Sequence, residues 1–488
     1  MPRISFAGPT YVARSPNISL ERSVNFYVES NPSGAKAPES LIGTPGTDLW
    51  ATVGAGPIRG KHVFNGVMFV VSGNKLYSVT TAGVSTVIGT LSTSTGRVSM
   101  QDNGLASAGI GGNQLIVVDG TAGYIYNVST AAFSTISGGG FPASPVMVEY
   151  MDGYFIVFGS GKMSYAVSNL YDGSTWNALA TASILASPEG IQAVLANHQQ
   201  LWFIKQETSE VWYNAGVPTS QGSPFSRIPG SVMDLGTPAP WSVVRGDGGI
   251  FMLGNMRVGG VAGLAGVMKV DGLVPKIIST TAINYQIQRL STVSDAIGDC
   301  YTDEGHTFYV LTFPTANWTI VFDTFSQQWH ERSLYISGDQ FTVNRHVGNS
   351  YERFNGKHLI GDYRDGKIYH MDSGYYDDNG VNLVAFRTTQ YIQDDEELRN
   401  VFFSKLQVDM ETGVGEGVVA SPQAVLSWSD DGGRNWASDR VGIMGRTGEY
   451  NARVTWRRLG RSRARVFRLT ISDPVKRVIT GAYLKAGL

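Results

Sequence analysis

FNGVMFVVSGNKLYSV, the stretch from Phe64 to Val79, predicts the fold of this chain. Its turn pairs are Asn65-Gly66 and Gly73-Asn74, and Gly and Asn accept the positive φ angles that tight hairpin turns require. The residues that follow each turn are mostly Val, Phe, Leu and Tyr, which favour pleated strands. The stretch therefore predicts a β-hairpin.

Similar hairpins recur along the chain at intervals of about 40 to 57 residues. Their starts after Phe64 are Gly111, Met151, Ala196, Gly246, Asp303 and Phe354. A lone two-stranded hairpin is marginally stable in water, whereas units repeated at this spacing are typical of propeller blades with about four strands each. We expect an all-β fold with a β-propeller of six to eight blades over residues 51–380. The alternative is a set of stacked sandwich domains with coincidental hairpins.

The pattern changes after residue 380. In VFRLTIS, Phe467, Leu469 and Ile471 alternate with polar residues, and SKLQVDM alternates in the same way. Period-two alternation is typical of a sheet with one wet face. Residues 381–488 are therefore expected to form a basic β-sandwich or platform domain. Residues 1–50 contain the strand SVNFYVE and a Gly/Pro/Ser-rich arm that could pack on this platform.

Composition excludes several classes of protein. With 488 residues, 42% of them hydrophobic, the chain is long enough for two or three folded domains. Cys300 is the only cysteine, so neither an internal disulfide nor a Cys₄ zinc site can form. The histidines show no metal-ligand spacing, and we expect neither a metal nor a cofactor. No secretory signal or membrane span is visible, so synthesis in a cytoplasm is expected.

Positive charge is concentrated near the end of the sequence. Residues 440–488 contain 12 Lys or Arg and 2 Asp or Glu, a net charge of +10, while the whole chain is −2. The remaining residues therefore carry about −12, and this asymmetry indicates an interaction surface. The candidate residues for contact with protein or DNA are Arg453, Arg457, Arg458, Arg461, Arg463, Arg465 and Arg468.

Arginine suits bidentate pairing with carboxylate or phosphate. The favoured partner is the acidic face of a neighbouring subunit. Contact with DNA phosphates and a solvated hairpin remain the alternatives.

SDDGGRNW, from Ser429 to Trp436, matches the Asp-box pattern that looks like a sialidase feature. Its residues Ser429, Asp431, Gly433 and Trp436 predict a structural turn, with Asp431 bonded to backbone amides and Gly433 left-handed. The box occurs once and outside the repeats. A sialidase would also need an arginine cluster and a Tyr/Glu nucleophile pair, so we nominate no catalytic residue.

The basic ending RVTWRRLGRSRARVFRLTISDPVKRVITGAYL, residues 453–484, resembles the packaged-DNA stabilisation, or tail nozzle, family of short-tailed bacteriophages. GNKLYSV and GRVSM, at residues 73–79 and 96–100, are similar to the family's first blade. SVNFYVE followed by PGTDLW is also similar. The segment from Thr219 to Asp295 shows little likeness.

The resemblance implies a structural virion protein without catalytic residues. It implies a homohexameric ring at the end of the tail, which docks to the tail adaptor or head-to-tail connector, closes the DNA exit channel and retains the packaged genome until ejection. A tail needle or plug and tailspikes or fibres are the implied partners, and DNA passes through without sequence-specific contacts. One alternative is a receptor- or glycan-binding propeller on a phage particle, and another is a glycan-processing enzyme.

Overall fold

The structure is a computed structural model that describes residues 2–105, 111–258, 261–335, 342–394, 397, 399–415 and 419–487. It is nearly all β and consists of a propeller and a sandwich, which confirms the predicted fold class. Each predicted hairpin supplies middle strands of one propeller blade. The hairpin turns have the expected conformation: φ is 50° at Asn65 and 70° at Gly66.

Seven blades are found within the described residues, and the first strands of neighbouring blades lie side by side around the axis. The first six blades each come from one continuous segment. Blade 1 contains the strands Ile58–Phe64, Val67–Ser72, Lys75–Val79 and Ser85–Thr90. Blade 2 contains Ser99–Asp102, Gln114–Val118, Gly123–Asn127 and Ala132–Thr135. Blade 3 contains Pro145–Met151, Tyr154–Gly159, Ser164–Asn169 and Asp172–Ser183. Blade 4 contains Ala193–Asn197, Gln200–Ile204, Ser209–Asn214 and Phe225–Arg227. Blade 5 contains Val244–Gly246, Gly249–Val258, Val261–Asp271 and Val274–Ile277, and the short strand Leu235–Gly236 also pairs in its sheet. Blade 6 contains Ile297–Asp303, His306–Phe313, Trp318–Asp323 and Gln328–Glu331.

Blade 7 is closed by a strand from the other end of the propeller sequence. Its first three strands are Gly348–Phe354, Lys357–Asp362 and Lys367–Asp372, and the fourth is Gly46–Thr52. The pairing is antiparallel, with Thr47 opposite Met371. Two short strands, Asp377–Asp378 and Val381–Asn382, extend this sheet. The chain thus closes its propeller by pairing segments that are about 320 residues apart in sequence.

The sandwich combines residues from before and after the propeller. One sheet contains Arg3–Ile4, Phe26–Ser30, Glu39–Gly43, Val401–Met410, Val454–Arg457, Arg461–Ser462 and Val478–Gly487. The other contains Tyr11–Val12, Leu20–Val24, Ala385–Thr388, Ile392–Gln393, Gln423–Ser429, Arg440–Ile443 and Ala464–Ile471. Their core includes the buried side chains of Phe26, Leu406, Trp456 and Phe467.

The second sandwich sheet is continuous with blade 6. Val24 pairs in parallel with Glu331, the last residue of the blade. Asn25, which follows at φ 53°, donates from its side-chain amide to the carbonyls of Ser333 and Val384, at 2.9 and 2.8 Å. The propeller and the sandwich are therefore joined by backbone and side-chain hydrogen bonds as well as by the chain itself.

Within the described residues, two short helices interrupt the β structure: the 3₁₀ helix Pro240–Ser242 and the α-helix Thr281–Gln288. The α-helix was missed because it spans only two turns, although Thr280 caps it by accepting from the Ile283 amide. The sequence also predicts one or two helical turns at 294–298, but residues 294–295 form a tight turn that leads into the strand Ile297–Asp303. The sequence predicts a second such segment at 394–399, which lies partly outside the described residues. The part of the chain that the structure describes contains no helix suited to crossing a membrane.

Candidate interaction surface

The basic run forms an edge strand of one sandwich sheet, and a turn interrupts this strand, so the hairpin that the sequence suggested is not found. Val454–Arg457 pairs with Val401–Met410, and the chain then turns through Arg458 at φ 57° and Gly460 at φ 80°. Arg461–Ser462 returns to the same strand, so that Arg461 lies opposite Phe402. The turn places consecutive arginines at the outside of the molecule.

Five of the seven candidate arginines are exposed: Arg453, Arg457, Arg458, Arg461 and Arg463. We call this group the arginine edge. Exposed apolar side chains lie beside it. Phe402 is 51% exposed, and the guanidinium carbon of Arg461 lies 5.9 Å from the centre of its ring. Val441 and Ile443 are also exposed and lie on the outermost strand of the other sheet.

Arg440 connects the two sheets at this edge. Its Nη1 donates to the carbonyls of Arg457 and Arg458, at 3.0 and 3.1 Å. Its own carbonyl accepts from the Trp456 indole at 2.9 Å. These bonds hold the arginine turn against the outermost strand, so the arginines and the apolar side chains form one surface.

Arg465 faces inward and is 2% exposed. It forms a bidentate pair with Asp430 at 2.6 and 2.7 Å and also donates to the Leu459 carbonyl. Its guanidinium lies over the rings of Phe403 and Trp428, at 4.6 and 5.1 Å. With these contacts made inside the sandwich, Arg465 is not presented to a partner.

Arg468 is also buried, with 7% of its surface exposed. Its guanidinium lies 3.9 Å from the centre of the Trp436 ring, and its Nε donates to Ser427 Oγ at 3.3 Å. The alternation of VFRLTIS predicted a wet face here, but that face is covered. The Asp-box turn, which lies far from Arg468 in sequence, brings Trp436 over it.

The Asp box forms a tight turn. Asp431 accepts from the Asn435 amide at 2.9 Å, and Ser429 Oγ accepts from the Gly433 amide at 2.8 Å. Gly433 has φ 79°. The hydrogen bond from the Asn435 amide, followed by those from the Asn435 side chain and Ser429, lowers the pKa of Asp431 to about 2. The ionised carboxylate therefore organises the turn that carries Trp436.

A second set of polar residues lines the propeller axis and was missed by the sequence reasoning. Glu149 of blade 3 is 4% exposed and accepts from the Gln101 side chain of blade 2 at 3.0 Å and the Ala196 amide of blade 4 at 3.2 Å. Arg245 of blade 5 donates to the Ala196 carbonyl at 2.8 Å and lies 4.0 Å from Glu149. This network ties four successive blades together.

Cationic side chains also link blades 1 and 7, where the propeller closes. Lys61 of blade 1 donates to the carbonyls of Ser350 and Leu359 in blade 7, at 3.0 and 2.7 Å. Arg97 donates to the Asn349 carbonyl of the same blade. Burial lowers the pKa of Lys61 to about 7. Sequence spacing does not reveal these contacts, because ring closure brings the blades together.

The described residues offer no candidate metal centre. They contain no group of three or more His, Cys, Asp or Glu side chains that could hold a metal ion. Burial raises the pKa of the Cys300 thiol to about 12, so the reactive thiolate is disfavoured.

Comparisons with known proteins identify the two parts of the fold separately. A family model described as "Bacteriophage P22 Gp10, beta-propeller" matches residues 11–376, and one described as "Bacteriophage P22 Gp10, beta-sandwich" matches residues 386–487. The search of curated proteins found no match.

Among solved structures, the chain is similar to YCF48 from Cyanidioschyzon merolae, with 12% identity, a TM-score of 0.39, and coverage of 67% of this chain and 98% of that one. The extracellular domain of BT4673 from B. thetaiotaomicron matches with 8% identity, a TM-score of 0.43 and coverage of 74% and 43%. The computationally designed Ika8 protein matches with 10% identity, a TM-score of 0.34 and coverage of 66% and 99%. Nothing about function follows from likenesses at this level.

Proposed function

Since the chain belongs to the bacteriophage P22 Gp10 family, matched over both its propeller and its sandwich, we propose that it forms a hexameric nozzle at the end of a phage tail. The family is one of structural virion proteins. In the proposed role, the ring closes the DNA exit channel, retains the packaged genome and docks to the tail adaptor.

The observation that carries this proposal is the arginine edge. A closed ring of identical subunits needs a heterologous interface, in which one patch meets a different patch. Five exposed arginines lie beside exposed Phe402, Val441 and Ile443, on a chain whose other residues are net negative. Arginine and aromatic residues are enriched in protein interfaces. The acidic part of the next subunit is the partner that charge complementarity favours.

The remaining partners follow from the same role. A tail needle or plug would seal the ring, and tailspikes or fibres would attach to it. DNA would pass through without sequence-specific contacts. The arginine edge could alternatively face this DNA through phosphate contacts.

Charge reversal tests the proposal. The triple variant Arg457→Glu, Arg458→Glu and Arg461→Glu should lower the hexamer fraction at least tenfold, measured by light scattering after size exclusion with the purified adaptor–portal complex present. The matched control reverses three exposed lysines on the propeller: Lys75→Glu, Lys162→Glu and Lys276→Glu. It makes the same change in net charge and should leave the ring intact.

The outcomes separate the two partners of the arginine edge. Loss of the ring in the arginine variant alone supports the subunit interface. Normal rings whose particles lose DNA, measured by nuclease sensitivity of the genome, assign the edge to the DNA channel. Normal rings with normal genome retention would refute both roles. A wild-type chain that stays monomeric beside the adaptor and binds host glycan would instead support the receptor-binding alternative.

A further inference from the structure

A small cavity lies between blades 6 and 7. Its volume is about 20 Å³. A single water molecule needs about 10–15 Å³, so the space suits one small species and excludes a tetrahedral oxyanion. Its wall includes Arg332, His346, Ser350, Tyr301 and Asp299.

Arg332 brings a buried charge to this wall. The side chain is 2% exposed and donates to the Tyr301 hydroxyl, with a weak contact to Met371 Sδ at 3.5 Å. Its Nε–H has no acceptor among the described residues, and it forms no ion pair with a described carboxylate. The rings of Tyr301 and Phe308 lie 5.2 and 5.4 Å from the guanidinium. A buried cation without a counterion is costly, and aromatic rings offset only part of that cost.

Two other polar side chains, Ser350 and His346, line the same cavity. Ser350 is 4% exposed, and its Oγ has no partner among the described residues. His346 Nδ1 accepts from the Gly348 amide at 3.2 Å, so the neutral ring carries its proton on Nε2. Burial lowers the pKa of His346 to about 3, which keeps the ring neutral. The wall therefore offers a cation and neutral donors.

Asp299 is the single carboxylate that lines the cavity. Burial raises its pKa to about 6, and the cations of Arg97 and Lys61 act in the opposite direction. These two cations, rather than Arg332, are the ones that stabilise the Asp299 charge. Arg332 acts instead on the buried carboxylate of Asp378, whose pKa is raised by burial and lowered by Arg332, but it forms no ion pair with a described carboxylate.

We propose that this cavity binds one chloride ion, held by the Arg332 guanidinium, Ser350 Oγ and His346 Nε2. A water molecule could accept the same hydrogen bonds but would leave the Arg332 charge uncompensated. The ion would join blade 6, which ends at Glu331, to blade 7, which begins at Gly348. The site lies within one chain and does not depend on the proposed ring.

Bromide is the probe, because it replaces chloride and scatters anomalously. Crystals of the full chain grown in sodium bromide should show an anomalous peak in the cavity. Thermal unfolding should also occur at a higher temperature in sodium chloride than in sodium gluconate at equal ionic strength, with a saturable dependence on chloride. An empty cavity or a water without anomalous signal, together with equal unfolding temperatures in the two salts, would overturn the proposal.

Ser350→Ala removes one donor with little change in volume. It should raise the chloride concentration for half-maximal stabilisation about tenfold, as expected for one hydrogen bond to a charged group. The matched control is Ser168→Ala, a fully buried serine of blade 3. It should lower the unfolding temperature equally in both salts and keep the wild-type chloride dependence. An unchanged chloride dependence in Ser350→Ala would count against the assigned site.

Discussion

Arg463 and Arg465 stand two residues apart and have opposite environments. Arg463 is exposed, whereas Arg465 is held inside the sandwich by Asp430 and two aromatic rings. The same side-chain type therefore serves an outer surface in one case and the core in the other. The difference arises from Trp428 and Phe403, which belong to other strands.

Replacing Arg465 with leucine should lower the free energy of unfolding by about 2 kcal/mol, because the Leu459 carbonyl loses its donor and Asp430 its partner. Asp430 is 41% exposed, so solvent limits the contribution of the ion pair itself. Arg463→Leu is the control and should change it by less than about 0.5 kcal/mol. Urea denaturation followed by tryptophan fluorescence measures both. Equal effects would contradict the assigned burial.

The low pKa of Asp431 predicts how the stability of the protein changes at acidic pH. Its pKa is about 2 in the folded chain, against about 3.9 for an unperturbed aspartate. The depressed value means that its stabilisation is present above about pH 4 and lost as the pH falls toward 2. Asp431→Asn should flatten this part of the stability profile, measured by denaturation between pH 5 and 2. A variant profile parallel to the wild type would refute the role of the carboxylate in the turn.

For individual residues, the sequence predicted which positions of a strand belong to the core, but it did not predict which polar side chains would be buried. Alternation identified Phe467 and Leu469 as core positions, and both are buried. It placed Arg468 on a wet face, because the cover that Trp436 supplies comes from a turn more than 30 residues earlier. A local sequence pattern shows which side chains lie on each face of a strand, whereas their burial depends on segments that are distant in sequence.

At the scale of elements, the hairpin is the unit that sequence reveals best. Gly- and Asn-containing turns with flanking apolar runs predicted the middle strands of the blades. The strand Gly46–Thr52 had no such signal, since its partner Lys367–Asp372 lies at the far end of the propeller sequence. The axis network around Glu149 was missed for the same reason.

Gly46→Ala should weaken the closure of blade 7. An added Cβ would lie 2.3 Å from the Asp377 carbonyl oxygen and 2.6 Å from that of Tyr375, and backbone atoms cannot easily move away. We expect a loss of about 2 kcal/mol in the free energy of unfolding. Gly139→Ala meets nothing within 4 Å and is the control. Calorimetry compares the two, and equal melting temperatures would contradict the close approach.

At the scale of the whole molecule, Glu331 couples the propeller to the sandwich. It is buried at the end of blade 6, accepts two bonds from Arg22 at 3.0 and 2.5 Å, and accepts one from the Trp318 indole at 3.1 Å. Arg22 belongs to a sandwich strand that pairs with blade 6. The ion pair therefore crosses the junction at which the two domains share a sheet.

Glu331→Gln should lower stability by about 2 kcal/mol and separate the melting of the two domains into two calorimetric transitions. The control is Asp409→Asn, which removes the exposed ion pair with Lys36 and should cost less than about 1 kcal/mol. A single transition at the wild-type temperature in Glu331→Gln would show that the junction does not depend on this pair.

The order of the strands along the chain determines which domain can fold first during synthesis. The strand pair formed by Phe26–Ser30 and Glu39–Gly43 is made early, but Leu41 and Ile42 pair with Ile479 and Val478, which are made after the propeller. The propeller can close once residue 372 has emerged, while the early sandwich strands still wait for their partners. A prematurely terminated chain could therefore carry a finished propeller but no arginine edge. If the arginine edge is the ring interface, as proposed above, only subunits translated through the sandwich can join the ring, and incomplete chains are left out of the assembly.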